Sequence, residues 1–270
     1  MREMEQPAGR VQGKVAVVVG AGCAGPGWGN GRAIAVRLAQ EGATVVAVDK
    51  VAGGLPETLA LAGAAAGRIE TALADACNPD QMAAVFASVR QRHGRLDILV
   101  NNVGGPAAGG AGVLTHADWQ AQLALNLTSV FTSCRLALPI MVQQGSGAIV
   151  NVSSTSATRW TGAPQVAYAA AKAGVMQFGR VTAVEYARHG LRVNTVLPGQ
   201  LHTPLVDAIL ARQQSDGDSE ALLRRRRARI PLPLEGDGRD TANAVLFSDE
   251  ARFITGTELI VDGGMSARCD

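Results

Sequence analysis

Two scarce side-chain types, tyrosine and lysine, stand four positions apart at Tyr168 and Lys172. The 270-residue chain has only two tyrosines and, because arginine supplies most of its positive charge, only three lysines. Residues four apart on a helix share one face. The pKa of a free tyrosine is about 10, and a nearby ammonium favours the phenolate and lowers that pKa. The pair therefore predicts a tyrosine that exchanges a proton with a substrate near neutral pH.

A glycine-rich turn follows the first apolar run, Val15–Val19, and precedes a helical pattern over Arg32–Gln40. Its glycines are Gly20, Gly22, Gly25, Gly27, Gly29 and Gly31. Such a turn between a strand and a helix lets backbone N–H groups approach a pyrophosphate at the helix N-terminus. The turn therefore predicts a dinucleotide-binding site.

An acidic residue, Asp49, ends the next predicted strand, Thr44–Val48. A carboxylate at this place accepts hydrogen bonds from the hydroxyls of the adenosine ribose. Because it would repel a 2′-phosphate, it favours NAD over NADP as the cofactor. The glycine turn offers no arginine to a 2′-phosphate, although Lys50 beside Asp49 is a mild counterweight.

Short strands that alternate with helices provide the scaffold for these residues. The predicted strands are Val15–Val19, Thr44–Val48, Arg68–Leu73, Leu96–Val100, Ala148–Val152, Arg192–Leu197 and Glu258–Val261. The predicted helices are Arg32–Gln40, Pro79–Arg92, a long helix from the Thr115/Asp118 capping box to about Val142, and Val166–His189. This alternation implies right-handed βαβ units. We therefore predict an α/β protein, a single-domain, doubly wound Rossmann fold with about seven parallel strands and helices on both faces.

One domain accounts for nearly the whole chain, since the sequence has no evident linker or repeat. We expect residues 1–13 to be an N-terminal extension and residues 14–270 to be a single NAD(P)-binding Rossmann domain. The sequence of residues 201–234 predicts a mobile substrate lid that contains two helical patterns, Leu205–Arg212 and Glu220–Arg229. Such a lid would close over the reacting groups and exclude water. The alternative is a surface excursion without a gating role.

A run of arginines, Arg224–Arg227 with Arg229, lies in the second of these helical patterns. Such a run can indicate nucleic-acid binding, but a helix face that contacts solvent or another subunit is the favoured interpretation. Helical spacing sends most of these arginines outward. If one of them turns inward instead, it would pair with a carboxylate or sulfonate of the substrate.

Composition excludes several other classes of protein. A net charge of +2 gives no nucleic-acid or membrane signal, and apolar runs such as Val15–Val19 are too short to span a bilayer. The first ten residues contain no apolar segment typical of a secretory signal. The four cysteines and four histidines lack metal-ligand spacing. We therefore expect no metal, reduced thiols and a cytoplasmic location.

Residues Lys14 to Gly264 resemble the short-chain dehydrogenase/reductase family in a series of ordered motifs. These are the glycine turn, Asp75, Asn101-Asn102-Val103-Gly104, Asn126, Asn151-Val152-Ser153-Ser154, Tyr168-x-x-x-Lys172, Pro198-Gly199 with Thr203, and Val261-Asp262-Gly263-Gly264. The chain departs from the family pattern in four places. About five residues are inserted between Gly20 and Gly29, Asn30 replaces isoleucine, Val103 replaces alanine, and Tyr168 lies fourteen residues after Ser154, one more than is commonest.

The resemblance implies an NAD-dependent oxidoreductase that interconverts a secondary alcohol and its ketone. Its catalytic residues would be Asn126, Ser154, Tyr168 and Lys172, with Ser153 and Thr155 as alternatives to Ser154. Its cofactor-binding residues would be Gly20, Gly29, Asn30, Gly31, Asp49, Asp75, Asn101, Gly104, Tyr168, Lys172, Pro198, Gly199 and Thr203. The resemblance also implies a homotetramer that acts on a small-molecule substrate.

Two other functions remain open from the sequence. One is an NADP-linked ketoreductase of the 3-oxoacyl type, against which Asp49 argues. The other is a dinucleotide-binding regulator without catalysis, a class that commonly loses the tyrosine or the lysine. The substrate is left open, because the candidate pocket segments Gly105–Gly112, Thr155–Gln165 and Gln200–Arg239 are loops in which the resembled family varies most.

Overall fold

Seven parallel strands form one sheet at the centre of the protein. The structure, a computed structural model, describes residues 9–213 and 219–268. The strands are β1 (Val15–Val19), β2 (Thr44–Asp49), β3 (Ile69–Leu73), β4 (Ile98–Asn101), β5 (Gly147–Val152), β6 (Leu191–Pro198) and β7 (Glu258–Val261). Their order is β3-β2-β1-β4-β5-β6-β7. The chain adds β2 and β3 on one side of β1 and then crosses to β4 on the other side, so the topological switch point lies between β1 and β4. In open α/β sheets, ligands bind at such a switch point, outside the carboxyl ends of the strands.

Helices cover both faces of this sheet. They are α1 (Asn30–Gln40), α2 (Leu55–Ala62), α3 (Pro79–His93), α4 (His116–Leu123), α5 (Ser129–Gln144), α6 (Val166–Tyr186), α7 (Pro204–Gln213), α8 (Ser219–Arg227) and α9 (Gly238–Glu250). Alternate residues of β1 enter two separate apolar layers. Ala16 and Val18 pack with α1 and α9, whereas Val17 and Val19 pack with α3 and α5. The predicted doubly wound α/β architecture is confirmed.

The long helix after β4 is interrupted by one wider turn. The capping box of Thr115 and Asp118 opens α4 as predicted, and a π-helical turn over Ala124–Thr128 joins α4 to α5. By length and composition alone, this 29-residue stretch could cross a membrane, and half of its apolar window is buried inside the fold. That corrects the expectation that every apolar segment is too short, although such burial is typical of a core helix.

Two helices were not predicted, and some boundaries moved. The α9 helix has a polar sequence, but its Ala242 and Val245 are buried in the layer that contains α1. The α2 helix has only eight residues between glycines, too few for a clear helical period. The described part of the predicted N-terminal extension includes Val11, which is 1% exposed and belongs to the core. Residues 1–8, 214–218 and 269–270 lie outside the described residues, so the predicted lid is only partly described.

Candidate active site

Tyr168 and Lys172 lie on one face of α6, as their spacing predicted. The Lys172 Nζ atom lies 5.9 Å from the centroid of the Tyr168 ring. Lys172 is 2% exposed, and its Nζ donates a 2.8 Å hydrogen bond to the backbone oxygen of Val152 at the end of β5. The Tyr168 phenol lies beside the side chain of Ser154, the second residue after β5. Adjacent elements α6 and β5 therefore bring the phenol, the ammonium and a hydroxyl together.

Burial shifts the pKa values of both α6 groups towards their neutral forms. It raises the pKa of the Tyr168 phenol, and the hydrogen bond with Ser154 opposes that rise. It lowers the pKa of Lys172 to about 8. The sequence led us to expect the ammonium to lower the tyrosine pKa, and desolvation outweighs that effect in this structure. Tyr168 is therefore protonated at neutral pH and ready to donate its proton to an oxygen atom.

Three consecutive hydroxyl groups after β5 have different surroundings. Ser153 is buried, and its hydroxyl donates to the backbone oxygen of Lys172 at 2.8 Å. Thr155 is also buried. Ser154 is half-buried, faces Tyr168, and accepts a 3.2 Å hydrogen bond from the backbone N–H of Ser156. Of the three, Ser154 is thus the hydroxyl positioned beside the phenol.

Asn126 occupies the π-helical turn between α4 and α5 and is fully buried. Its Oδ1 accepts a 3.0 Å hydrogen bond from the backbone N–H of Gly105, and its Nδ2 donates to the backbone oxygen of Gln122 at 3.0 Å. A Cβ atom at Gly104 would lie 2.6 Å from Asn126 Oδ1 and 2.8 Å from Lys172 Nζ. Gly104 therefore leaves the space in which the amide and the ammonium approach each other.

A cleft of about 670 Å³ runs along the carboxyl ends of the strands. It is lined by the predicted residues Gly20, Gly29, Asn30, Gly31, Asp49, Asp75, Gly104, Ser154, Tyr168, Lys172, Pro198, Gly199 and Thr203. Residues from the glycine turn and from the end of β6 thus share one cavity with the α6 pair. A bound ligand could contact both groups of residues at once.

Asn101 does not line this cleft, which corrects the prediction for it. Its side chain is buried between strands, where Nδ2 donates to Asn151 Oδ1 at 2.9 Å. The next residue, Asn102, lines the cleft instead and donates from Nδ2 to the backbone oxygen of Gly20 at 2.8 Å. The amide that ties β4 to the glycine turn is therefore Asn102.

The glycine turn fits a pyrophosphate. Gly29 precedes α1 without any side-chain cap, and the first residues of the helix, Asn30 and Gly31, line the cleft. Unbonded N–H groups at a helix N-terminus attract anions. A Cβ atom at Gly31 would clash with the backbone oxygen of Gly20. Only glycine therefore allows the turn and the start of the helix to pack so closely.

Arg32, which sequence reasoning missed, supports the inserted part of this turn. It is 0% exposed, and its NH1 donates to the backbone oxygen of Gly27 at 2.6 Å. Its NH2 donates to the backbone oxygen of Gly54 at 3.1 Å, and Glu57 forms an ion pair with it at 2.9 Å. Glu57 also accepts a 2.9 Å hydrogen bond from the backbone N–H of Gly27. The only sequence signal was a charged residue in the first turn of a helix that follows the glycine turn.

Asp49 stands at the end of β2 with its carboxylate on the cleft. One oxygen accepts a 2.9 Å hydrogen bond from the backbone N–H of Gly22, and the other accepts a 3.0 Å bond from that of Val51. The exposed Lys50 also lines the cleft. Asp49 is therefore fixed where a ribose would lie if the pyrophosphate occupied the glycine turn.

Polar groups form one wall of the cleft beyond Tyr168. The Gln165 side-chain amide donates to the hydroxyls of Ser156 and Thr161 at 2.9 and 3.0 Å. Gln200 donates from Nε2 to the backbone oxygen of Thr161 at 3.0 Å. Arg226 reaches the same cleft from α8. The wall can therefore hydrogen-bond a polar substrate.

Metal binding finds no support in the described part of the chain. It contains no group of three histidine, cysteine, aspartate or glutamate side chains that could hold an ion. Cys23, Cys77 and Cys134 are free thiols, and Cys269 lies outside the described residues.

Comparisons with known proteins agree on one family. A family model described as enoyl-(acyl carrier protein) reductase matches residues 25–266. A 3-oxoacyl-(acyl-carrier-protein) reductase from Thermotoga maritima is 34% identical over 258 residues, which cover 95% of this chain and 99% of that protein.

Two crystal structures extend the comparison to the fold. A short-chain dehydrogenase/reductase from Burkholderia xenovorans is 61% identical, with a TM-score of 0.94 over 97% of this chain and 100% of that one. Carveol dehydrogenase from Mycobacterium avium in complex with NAD is 34% identical, with a TM-score of 0.87 over 96% of this chain and 100% of that one. The chain therefore belongs to the short-chain dehydrogenase/reductase family.

Proposed function

We propose that this protein is an NAD-dependent oxidoreductase that interconverts a secondary alcohol and its ketone. The observation that carries the proposal is that the Tyr168 phenol, the Ser154 hydroxyl and the Lys172 ammonium lie together in the cleft that also contains the glycine turn. These three groups are a proton donor, a second hydroxyl and a cation. Together they can stabilise a substrate oxygen whose charge changes during the reaction.

The chain's own groups act on that oxygen. Ser154 donates a hydrogen bond to it, and Tyr168 gives it a proton in ketone reduction or, as the phenolate, accepts its proton in alcohol oxidation. Lys172 and Asn126 approach each other beside Gly104, next to the phenol. NAD, when bound, would accept the hydride in one direction and supply it in the other.

The choice of NAD rests on Asp49. Its carboxylate would accept hydrogen bonds from ribose hydroxyls and repel a 2′-phosphate. The backbone bonds from Gly22 and Val51 hold it in that position. The similar carveol dehydrogenase was crystallised with NAD, which supports the same choice.

A second candidate is an NADP-linked reductase of 3-oxoacyl substrates. It is favoured by the likeness to the 3-oxoacyl-(acyl-carrier-protein) reductase of Thermotoga maritima and by Lys50, a cation on the cleft next to Asp49. The electrostatic repulsion from Asp49 favours the NAD-linked function over this one.

One assay separates these candidates. Nicotinamide absorbance would be followed with a panel of secondary alcohols, ketones and 3-oxoacyl thioesters, each with NAD(H) and with NADP(H). Turnover with NAD(H) on alcohols and ketones supports the proposal, and preference for NADPH with the thioesters supports the second candidate. Cofactor binding without any turnover would identify a non-catalytic regulator and reject both.

We also propose that the protein works as a homotetramer in the cytoplasm, without nucleic-acid or membrane partners. An apolar groove lies between α5 and α6, and Phe131, Leu138 and Phe178 are among the residues that line it. Phe131 is 49% exposed and the neighbouring Val184 is 80% exposed. Exposed apolar area of this kind favours helix contact between subunits.

A further inference from the structure

One arginine of the α8 run turns towards the cleft. Arg226 lines the cavity that contains Tyr168, and its NH2 donates a 3.4 Å hydrogen bond to the backbone oxygen of Leu201. It is half-buried, whereas Arg224, Arg225 and Arg227 are exposed. Most arginines of the run therefore face solvent, and Arg226 places one cation in the cleft.

Arg226 differs from Arg224 and Arg227 in its charge partners. Arg224 pairs with Glu220 at 2.8 Å, and Arg227 pairs with Glu235 at 2.8 Å. Among the side chains that the structure describes, no carboxylate lies within ion-pair distance of Arg226. Burial and the like charge of Arg229 lower its pKa, in agreement with a cation that lacks an acidic partner. An anion from outside the chain would therefore be stabilised there.

The charges along the described cleft wall are also divided by position. Its acidic residues are Asp49, the last residue of β2, and Asp75, just after β3, where the adenosine half of a dinucleotide would lie. The wall beyond Tyr168 presents amides, hydroxyls and Arg226, without an acid. This end of the cleft thus favours a negatively charged substrate.

Resting on the proposed function, we propose that Arg226 selects secondary alcohols and ketones that carry a carboxylate. A single guanidinium offers two parallel N–H donors, which match the two oxygens of a carboxylate. The apolar side chains of Leu205 and Val206 line the same cavity and would contact the carbon chain between the carboxylate and the reacting carbon. The substrate class is therefore hydroxy acids and the matching keto acids.

A series of hydroxy acids from 3-hydroxybutyrate to 6-hydroxyheptanoate, each paired with its methyl ester, tests this proposal. In wild type, kcat/KM for the best acid should exceed that for its ester by about 10- to 100-fold, the range expected for a hydrogen-bonded charge pair. Arg226→Gln should abolish this ratio, and Arg226→Lys should keep part of it because the charge remains. Arg225→Gln, which removes the same charge from an exposed position, should keep the ratio.

Isothermal titration calorimetry of the same acids and esters, with NAD present, gives a readout that does not require turnover. The acids should bind more tightly than the esters to wild type and to Arg225→Gln, and equally to Arg226→Gln. Equal binding of acids and esters to wild type, or a preference that survives in Arg226→Gln, would overturn the proposal. Tighter binding of a phosphate monoester of the same length would also overturn the proposal.

The turnover results distinguish this inference from the proposed function. Oxidation of the neutral esters alone would reject this inference and leave the proposed function intact. Absence of all turnover would reject the proposed function.

Discussion

The ammonium of Lys172 lies 5.9 Å from the centre of the Tyr168 ring, and its hydrogen bond goes to a neutral backbone oxygen. Among the described side chains, neither group contacts a carboxylate that would favour the charged form of the lysine. Burial therefore governs both groups, raising the pKa of the phenol and lowering that of the ammonium to about 8. The raised pKa keeps the phenol protonated, so that it can donate its proton to a substrate oxygen.

Removal of that phenolic hydroxyl should stop catalysis. Tyr168→Phe loses only one oxygen atom, so we expect turnover to fall by about 10²- to 10⁴-fold, the range for a general acid or base. The dissociation constant of NAD, measured by fluorescence titration, should change little. The other tyrosine gives a matched control, since Tyr186→Phe at the end of α6 should keep near-normal turnover. Substantial turnover by Tyr168→Phe would refute its role.

The buried lysine should make stability depend on pH. The pKa of Lys172 is about 8 in the folded protein, against an ordinary value of 10.5. Between these values the unfolded chain binds more protons, so the free energy of unfolding should rise with pH by up to about 3 kcal/mol. Below pH 8 both states are protonated and this contribution is constant.

Urea unfolding of wild type and Lys172→Met at several pH values from 7.5 to 10.5 measures this contribution. The difference in unfolding free energy should grow in favour of wild type as the pH rises. Lys50→Met, which removes an exposed lysine, controls for the loss of one charge. Parallel pH profiles for wild type and Lys172→Met would contradict the prediction.

Cofactor preference should follow the charge of Asp49. Asp49→Asn keeps one oxygen that can accept one of the two backbone hydrogen bonds and removes the negative charge, so repulsion of a 2′-phosphate should weaken. We expect the ratio of kcat/KM for NAD over NADP to fall by about tenfold or more, the effect of roughly 1.4 kcal/mol. Asp75→Asn, a second acid on the cleft wall, should leave the ratio near its wild-type value. Equal use of both cofactors by wild type would reject the proposal for NAD.

Subunit assembly should depend on the groove between α5 and α6. Light scattering at micromolar concentration should give the mass of a tetramer for wild type. Phe131→Glu places a charge on this half-exposed apolar surface and should yield smaller species. Val113→Glu, at a loop position that is 77% exposed, is the control and should remain tetrameric. A wild-type monomer would contradict the prediction.

The sheet was predictable because runs such as Val15–Val19 are apolar on both faces, as buried parallel strands are. The pairing of Tyr168 with Lys172 was predictable because helical spacing alone brings them together. The α9 helix was not predictable, because packing of Ala242 and Val245 against α1, rather than a clear sequence pattern, accounts for it. Local patterns thus determined the scaffold but not every contact on it.

Side-chain direction after a strand was harder to predict. Asn101 is the last residue of β4 and Asn102 the first after it, and they point to opposite sides, one to β5 and the other to the cleft. Successive strand residues alternate in this way, so an error of one residue in the strand end exchanges their roles. The Tyr168 pKa was mispredicted for a different reason, since the extent of burial depends on the whole fold.

The role of Arg32 was the hardest to predict from the sequence, because it depends on the path of the residues inserted in the glycine turn. Its guanidinium binds the backbone oxygens of Gly27 and Gly54 and pairs with Glu57, so one buried cation joins α1, α2 and the turn. Arg32→Met keeps much of the side-chain volume but leaves those oxygens and the carboxylate without their donor.

The turn should then lose its fixed shape, and the cost should appear in cofactor binding more than in the chemical step. We expect the KM for NAD to rise by about tenfold or more, with a smaller fall in kcat at saturating cofactor. Arg37→Met is the matched control, since this arginine of α1 is partly exposed and pairs with Glu41 far from the turn. Thermal unfolding of both variants would measure any loss of stability separately. An Arg32→Met enzyme with the wild-type KM for NAD would mean that the turn holds its shape without the guanidinium, and the supporting role of Arg32 would be wrong.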